Sequence, residues 1–206
     1  MTTLVVADDQ ALIRTALATM LDLEDDITVI GQAGTCAQTV EVVRQTRPDV
    51  VLLDVQMPAG PGGPSDGIDA IGPLKAASPR SHLLVVTTFA RPGYLRRALE
   101  NGAVGFILKD TPVDELVAAI RKIAAGQRVV DPELAAASLC VGASPLTEKE
   151  ALVLAASAGG VGSEDIAATV HLSVGTVRNY LSSAIGKLGA RNRAEALRTA
   201  IDYGWV

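Results

Sequence analysis

Three carboxylates, a hydroxyl and an ammonium group follow short apolar runs in this 206-residue chain. Leu4-Val5-Val6-Ala7 leads into Asp8-Asp9, Val50-Val51-Leu52-Leu53 into Asp54, Leu83-Leu84-Val85-Val86 into Thr87, and Phe106-Ile107-Leu108 into Lys109. These residue types suit the handling of a phosphoryl group. A carboxylate can attack phosphorus and carry it as an acyl phosphate. Crowded carboxylates repel one another, and Mg2+, which prefers hard oxygen ligands and suits phosphoryl chemistry, relieves that repulsion. On this reading Asp54 is the phosphoacceptor. Asp9 and Asp54 bind Mg2+ directly, Asp8 acts partly through water, and the main-chain carbonyl of Gln56 adds an oxygen. Lys109 neutralises phosphoryl oxygens as a point charge, and Thr87 hydrogen-bonds one of them. Taken singly, a strand-end aspartate is commonly a helix cap, and a threonine or lysine there an ordinary surface group. Their joint placement after successive apolar runs favours one shared site.

Such runs are the pattern of strands in a parallel sheet covered on both faces, where ligands bind beyond the carboxyl ends. Ile27-Thr28-Val29-Ile30 reads as one more strand. Ile13, Ala16, Leu17, Met20 and Leu21 recur at helical spacing. Further helices are expected over 36–46, ended by Arg47-Pro48, over 67–77, and over 92–101, ended by Asn101-Gly102. Thr111-Pro112-Val113-Asp114 predicts a helix start with Thr111 as cap. The alternation predicts an α/β fold over residues 1–125, with a five-stranded parallel sheet, right-handed crossovers and helices on both faces.

Residues 126–144 read as a linker containing Gly126, Asp131-Pro132, Gly142 and Ser144-Pro145, with an alanine-rich middle, Leu134 to Leu139, able to be helical. From 145 to 206 the strand signals vanish. Thr147 with Glu150 forms a capping box, and Ser163, Ser173 and Asn192 can each cap a further helix. Four short helices with tight turns predict an all-α helix-turn-helix domain.

Hydrophobic content of 49% argues for a folded chain. No apolar run approaches the ~18 residues of a membrane span, and Met1-Thr2-Thr3-Leu4 lacks the basic start of a secretory signal. The expectation is a cytoplasmic protein without membrane insertion, with Cys36 and Cys140 reduced. A net charge of −5 looks unlike a nucleic-acid binder. The sum conceals a local excess, because residues 168–201 carry Arg178, Lys187, Arg191, Arg193 and Arg198 against Glu195 alone. On a helix over 173–188, Val177, Leu181, Ala184, Ile185 and Leu188 share one face. Gly175, Asn179, Ser182, Ser183 and Gly186 share the opposite one, flanked by Thr176 and Arg178. Small and hydrogen-bonding residues permit close approach to a DNA groove. A solvated face is the plainer alternative, but two glycines would weaken an exposed helix by about 1 kcal/mol each.

Asp8-Asp9, Asp54 with Met57-Pro58, Thr87 and Lys109 resemble the receiver domain of bacterial response regulators over about residues 3–125. The resemblance implies a flavodoxin-like fold, phosphoryl transfer from a sensor histidine kinase, and Phe106 as the switch aromatic beside Thr87. The chain departs from the family before Gly67-Ile68-Asp69, where Ala59-Gly60-Pro61-Gly62-Gly63-Pro64-Ser65 holds about five extra residues. The second half resembles the LuxR-type helix-turn-helix of NarL/FixJ regulators. The matching residues are Leu146-Thr147 with Glu150, Ile166-Ala167, Ser173 to Tyr180 and Lys187 to Arg193. It implies that Arg178, Asn179 and Ser182 face base edges of double-stranded DNA, while Ser173, Thr176, Tyr180 and Lys187 position the phosphate backbone. Thr87 to Tyr94, Gly175 to Tyr180 and Gly204-Trp205 look like the DesR-type branch, which is associated with membrane-fluidity sensing.

The combined expectation is a non-enzymatic, two-domain transcriptional response regulator. Phosphorylation of Asp54 would favour a homodimer bound to DNA, and the resemblance allows RNA polymerase as a further contact. The helix stripes around Ile13 to Leu17, Val113 to Ile120, and Ala194, Leu197 and Ile201 are candidate dimer surfaces or ordinary core. A phosphoester-hydrolysing enzyme would need a second acid–base group, and His82 and His171 stand at none of the site strand ends. A DNA-binding module with an inert receiver would not need the pocket residues.

Overall fold

The computed structural model describes residues 1–88, 92–130, 134–136 and 144–206. Five βα units come first: β1 (Thr2–Ala7), α1 (Ala11–Leu21), β2 (Ile27–Ala33), α2 (Cys36–Thr46), β3 (Val50–Leu53), α3 (Gly67–Ala77), β4 (His82–Thr87), α4 (Pro92–Glu100), β5 (Gly105–Leu108) and α5 (Val113–Ala124). A two-residue strand, β6 (Val129–Val130), follows. The helices α6 (Glu148–Ala155), α7 (Ser163–Val170), α8 (Val174–Lys187) and α9 (Arg193–Asp202) come after it, with a 3-10 turn at Ala158–Gly160. The chain divides into two compact units, Met1–Ala90 with Leu95–Ala135, and Arg91–Tyr94 with Ala136–Val206.

The sheet runs β2-β1-β3-β4-β5-β6 with every pair parallel. This corrects the five-strand expectation. Val129 and Val130 pair with Gly105 and Phe106 within the stretch read as linker. Two residues are too few to show a period, and the Gly126 turn before them dominates the local pattern. Leu4, Val6, Val50, Leu52, Leu84, Val86 and Ile107 pack under α1 and α5 with Ala18, Leu21, Leu116, Val117 and Ile120. The alternate residues, Val5, Val51, Leu53, Leu83, Val85 and Phe106, are equally buried. Successive strand side chains point to opposite faces, so both faces are covered. The α5 stripe from Leu116 to Ile120 therefore belongs to the core of its own unit, and the exposed apolar groups of the α1 region are Leu12, Met20 and Leu23.

Two capping expectations are corrected. Pro112, not Thr111, is the N-cap of α5, without a side-chain cap, because its ψ of 145° is extended and the first helical residue is Val113. Gly162, not Ser163, caps α7. Thr147, Ser173 and Asn192 cap their helices through the N–H groups of Glu150, Thr176 and Glu195. Residues 134–136 are helical. The rest of that alanine-rich stretch, Cys140, and Phe89-Ala90-Arg91 of the DesR-like segment lie outside the described residues.

The extended β3–α3 loop is tied down. Cys36 and Ala37, in the first turn of α2, donate their N–H groups to the Pro58 and Ala59 carbonyls, each at 2.9 Å. These helix-start donors have no intrahelical partner, so the loop supplies one. The chain then returns to the strand end, where the Gly67 N–H donates to the Val55 carbonyl at 2.9 Å. A Cβ on Gly67 would lie 1.9 Å from the Asp54 carbonyl oxygen. Gly67→Ala is expected to destabilise the first unit by at least about 1–3 kcal/mol, since backbone must move to admit the methyl. Gly186→Ala, in an exposed α8 position with nothing within 4 Å, is expected to stabilise the second unit by about 0.5–1 kcal/mol. Urea unfolding of the two variants measures both signs.

Candidate functional site

Asp8 and Asp9 follow β1, and Asp54 follows β3, its hydrogen-bonded neighbour. One carboxylate oxygen from each lies within 4.8 Å of the others. Asp8 and Asp54 are 2% and 3% exposed, and Asp9 faces solvent. At that spacing two like charges in a partly solvated interior repel by about 3–4 kcal/mol. Lys109, after β5, meets this repulsion by placing Nζ 2.7 Å from Asp8 Oδ2 and 2.9 Å from Asp54 Oδ2.

One ammonium shared by two buried carboxylates leaves each carboxylate short of charge. Burial pushes the Asp54 carboxyl above the usual range, against the opposing pull of Lys109. Burial also draws Lys109 downward, but hydrogen bonds to both Asp8 and Asp54 outweigh it, and its pKa lies above the ordinary lysine value. Three carboxylates against one ammonium leave two negative charges, which a divalent cation would balance. The all-oxygen donor set, one member of it open to water, fits Mg2+.

Thr87 ends β4 and is fully buried, and its carbonyl accepts the Lys109 N–H at 2.8 Å. Phe106 on β5 is 1% exposed and pairs with Val85 and Val130. The structure thus brings Asp8, Asp9, Asp54 and Lys109 into one cluster, with Thr87 and Phe106 on the adjoining strands. Gln56 is exposed two residues beyond Asp54, and its backbone favours the ionised Asp54.

A contact the sequence did not signal lies beside this cluster. Arg97 of α4 donates to Asp69 at 2.9 Å, and its guanidinium lies 3.8 Å from Asp66, the N-cap of α3. The residues are 28 apart, outside any local pattern.

In the second unit Val177, Leu181 and Ala184 of α8 join a core with Val153, Leu154, Ile166, Ala196 and Ala200. Arg178, Asn179 and Ser182 are exposed, Thr176 and Tyr180 half-buried. Ser173 is held by its capping role, accepting from the Thr176 N–H at 3.1 Å. Lys187 Nζ lies 2.6 Å from Glu150 Oε2. That pairing places Lys187 against α6 and gives Glu150 a partner beyond its capping box with Thr147.

Residues 4–121 match the response regulator receiver domain, and residues 144–200 match the luxR family of bacterial regulatory proteins. The chain is 41% identical to the transcriptional regulatory protein YvfU of Bacillus subtilis over 203 residues, 98% of each chain. It is 38% identical to the transcriptional regulatory protein DesR of the same organism, covering 100% of this chain and 99% of DesR. The fold is shared with the response regulator RcsB in its DNA complex, at a TM-score of 0.67, 24% identity and 98% coverage of both chains. The protein is thus of the kind in which a doubly wound α/β unit is joined to a helix-turn-helix. It belongs to the LuxR-type family of two-component response regulators, a family of transcriptional regulators. Among the described residues, no helix is long and apolar enough to cross a membrane.

Two buried carboxylates give opposite pH responses. The folded state raises Asp54 above its ordinary value of 3.8, so folding favours its neutral form and gains stability as pH falls through the raised value. Asp54→Asn is expected to raise the melting temperature at neutral pH in Mg2+-free buffer, with the gain shrinking toward pH 3.8. Glu150 is drawn down from 4.5 to about 2 by Lys187, the Thr147 N–H and Ser183. Its contribution is present above pH 4.5 and is lost as pH falls toward 2. Glu150→Gln is expected to lower the stability of the second unit at neutral pH and to converge with wild type in acid. Fluorescence of Trp205, the single tryptophan, reads that unit.

Proposed function

We propose that Asp54 accepts a phosphoryl group from a sensor histidine kinase, and that the modified receiver drives dimerisation and sequence-specific binding to double-stranded DNA. The observation that carries this reading is the cluster of Asp8, Asp9 and Asp54 around the Lys109 ammonium. An Asp54 carboxylate oxygen forms the new P–O bond as the P–N bond to the kinase imidazole breaks. Asp8, Asp9, Asp54 and the Gln56 carbonyl would hold Mg2+, which when bound would supply charge neutralisation at the phosphoryl oxygens. Lys109 stays beside Asp54 and balances the remaining anionic charge. Thr87 hydrogen-bonds a phosphoryl oxygen, and Phe106, on the neighbouring strand, repacks with it, so a local charge change biases a two-state surface.

In the dimer, two α8 helices enter major grooves on half-sites about one DNA turn apart. Arg178, Asn179 and Ser182 read base edges, while Ser173, Thr176 and Tyr180 set the backbone register. The exposure of Arg178, Asn179 and Ser182 on one helix supports this assignment. Leu197 and Ile201 of α9, both half-buried, are the second dimer contact on this reading.

Incubation with a small acyl phosphate and Mg2+ is expected to add one phosphoryl group per chain, detected by intact-mass spectrometry. Asp54→Asn or chelation of the metal should abolish it. Labelling that survives Asp54→Asn would refute the assignment. Sedimentation with and without beryllofluoride reads the expected shift from monomer to dimer.

A further inference from the structure

We infer that Glu150 is a positioning residue for DNA binding, whose buried carboxylate holds the C-terminal half of α8 so that Lys187 orients the helix instead of contacting a phosphate. The inference rests on the reading of α8 as the DNA-reading helix.

Glu150 is 4% exposed, and its oxygens are occupied from three directions. Oε2 accepts the Thr147 N–H at 2.7 Å and the Lys187 ammonium at 2.6 Å. Oε1 accepts the Ser183 hydroxyl at 2.7 Å. Thr147 fixes the carboxylate at the start of α6, and the other two contacts belong to α8. Ser183 and Lys187 are four residues apart, so they lie one above the other on a single helix face. Anchoring two successive turns of that face fixes the rotation of α8 about its own axis. Asn179 lies on the same stripe one turn earlier, and Arg178 and Ser182 lie beside it. The polar stripe therefore divides: its first half is open to a partner, and its second half is pinned to α6.

The electrostatics separate Lys187 from the other cations of the helix. A lysine neutralised by a fixed carboxylate neutralises no phosphate and so releases none of the counterions condensed on the DNA. To reach a phosphate it would strip Glu150 of its cation and leave a buried charge unpaired, which is strongly unfavourable. Arg178 is exposed and, among the described residues, makes no ion pair. Each phosphate neutralised by a protein cation steepens the dependence of affinity on salt by a roughly fixed amount. The slope therefore distinguishes a lysine on DNA from a lysine on Glu150.

The test titrates the full-length chain and its variants, each activated with beryllofluoride and Mg2+, into a mixed-sequence duplex of about three helical turns, by fluorescence anisotropy over a range of salt. Arg178→Met should flatten the slope by about one. Lys187→Met should leave the slope at the wild-type value while weakening binding several-fold, because the helix loses its anchor. Glu150→Gln should steepen the slope by about one, since Lys187 is released as a free cation. Neutralising both partners, Glu150→Gln with Lys187→Met, should return it to wild type. A purely structural role for Glu150 predicts no steepening. Flattening by Lys187→Met equal to that by Arg178→Met would overturn the inference. Should a single variant unfold the second unit, seen by Trp205 fluorescence, the double variant decides: an unchanged slope supports the inference and a flattened one refutes it. If wild type binds no duplex at any salt, the DNA reading itself fails and takes the inference with it. A wild type that binds while Lys187→Met flattens the slope removes the inference alone.

Discussion

The receiver half depends on one ammonium group serving two buried carboxylates. Asp8 and Asp54 sit at the ends of adjacent strands because β1 pairs directly with β3. That adjacency is the switch point of a doubly wound sheet, where loops diverge to opposite faces and leave a crevice. Lys109 comes from β5, two strands from β3. Neighbouring strands stand about 4.8 Å apart, so a side chain must span roughly two spacings to reach Asp54. Only a long stem does this, whereas β4, lying between, needs no more than the short Thr87. The order of residue types across the sheet edge thus follows from strand spacing. The protein's own side chains leave the cluster short of positive charge, a deficit that a divalent cation would relieve.

The loop beyond Asp54 is held at both ends. Its first part supplies carbonyl acceptors to the start of α2. Its last part brings Gly67 so close to the Asp54 carbonyl that no side chain would fit. An insertion between two such anchors adds little loop-closure entropy, since the cost grows only with the logarithm of length. Asp66 and Asp69, at the start of α3, then engage Arg97 of α4. The acidic residues favour the positive end of the α3 dipole as well as the guanidinium, so one pair of side chains serves both roles. Asp66 is nonetheless raised above its usual value, because burial exceeds what its N–H donors and Arg97 return.

Legibility in the sequence followed the range of the interaction. Strand ends were readable because Asp54, Thr87 and Lys109 each follow a run of apolar residues that signals the strand by itself. Thr147 with Glu150, and Asn192 with Glu195, were readable because a cap spans three residues. β6 was not, since its stability comes from pairing with β5 and not from a pattern of its own. The second role of Glu150 was hidden for the same reason, as its partner Lys187 lies 37 residues away. Pro112 shows a subtler case. A proline after a threonine suggested a capped helix with proline in the first turn, but the extended ψ of 145° puts Pro112 itself outside the helix.

The DNA-binding half uses charge differently from the receiver half. In the receiver three carboxylates gather around one ammonium group, and their mutual repulsion costs stability. Around α8 the buried carboxylate is fully satisfied, and the pair with Lys187 contributes rigidity without adding to the external field. Exposed ion pairs of this kind are worth little on their own. Here one partner is buried and carries three donors, so the pairing fixes geometry more than it adds energy. A reading helix needs that property, because base discrimination depends on hydrogen bonds whose strength falls steeply with misalignment. On the proposed reading, rotating α8 by a few degrees would displace Arg178 and Asn179 together, whereas losing one surface cation would weaken all sequences alike. On the proposed reading, specificity in this unit would rest on a contact between α6 and α8 and not on the base-reading residues alone.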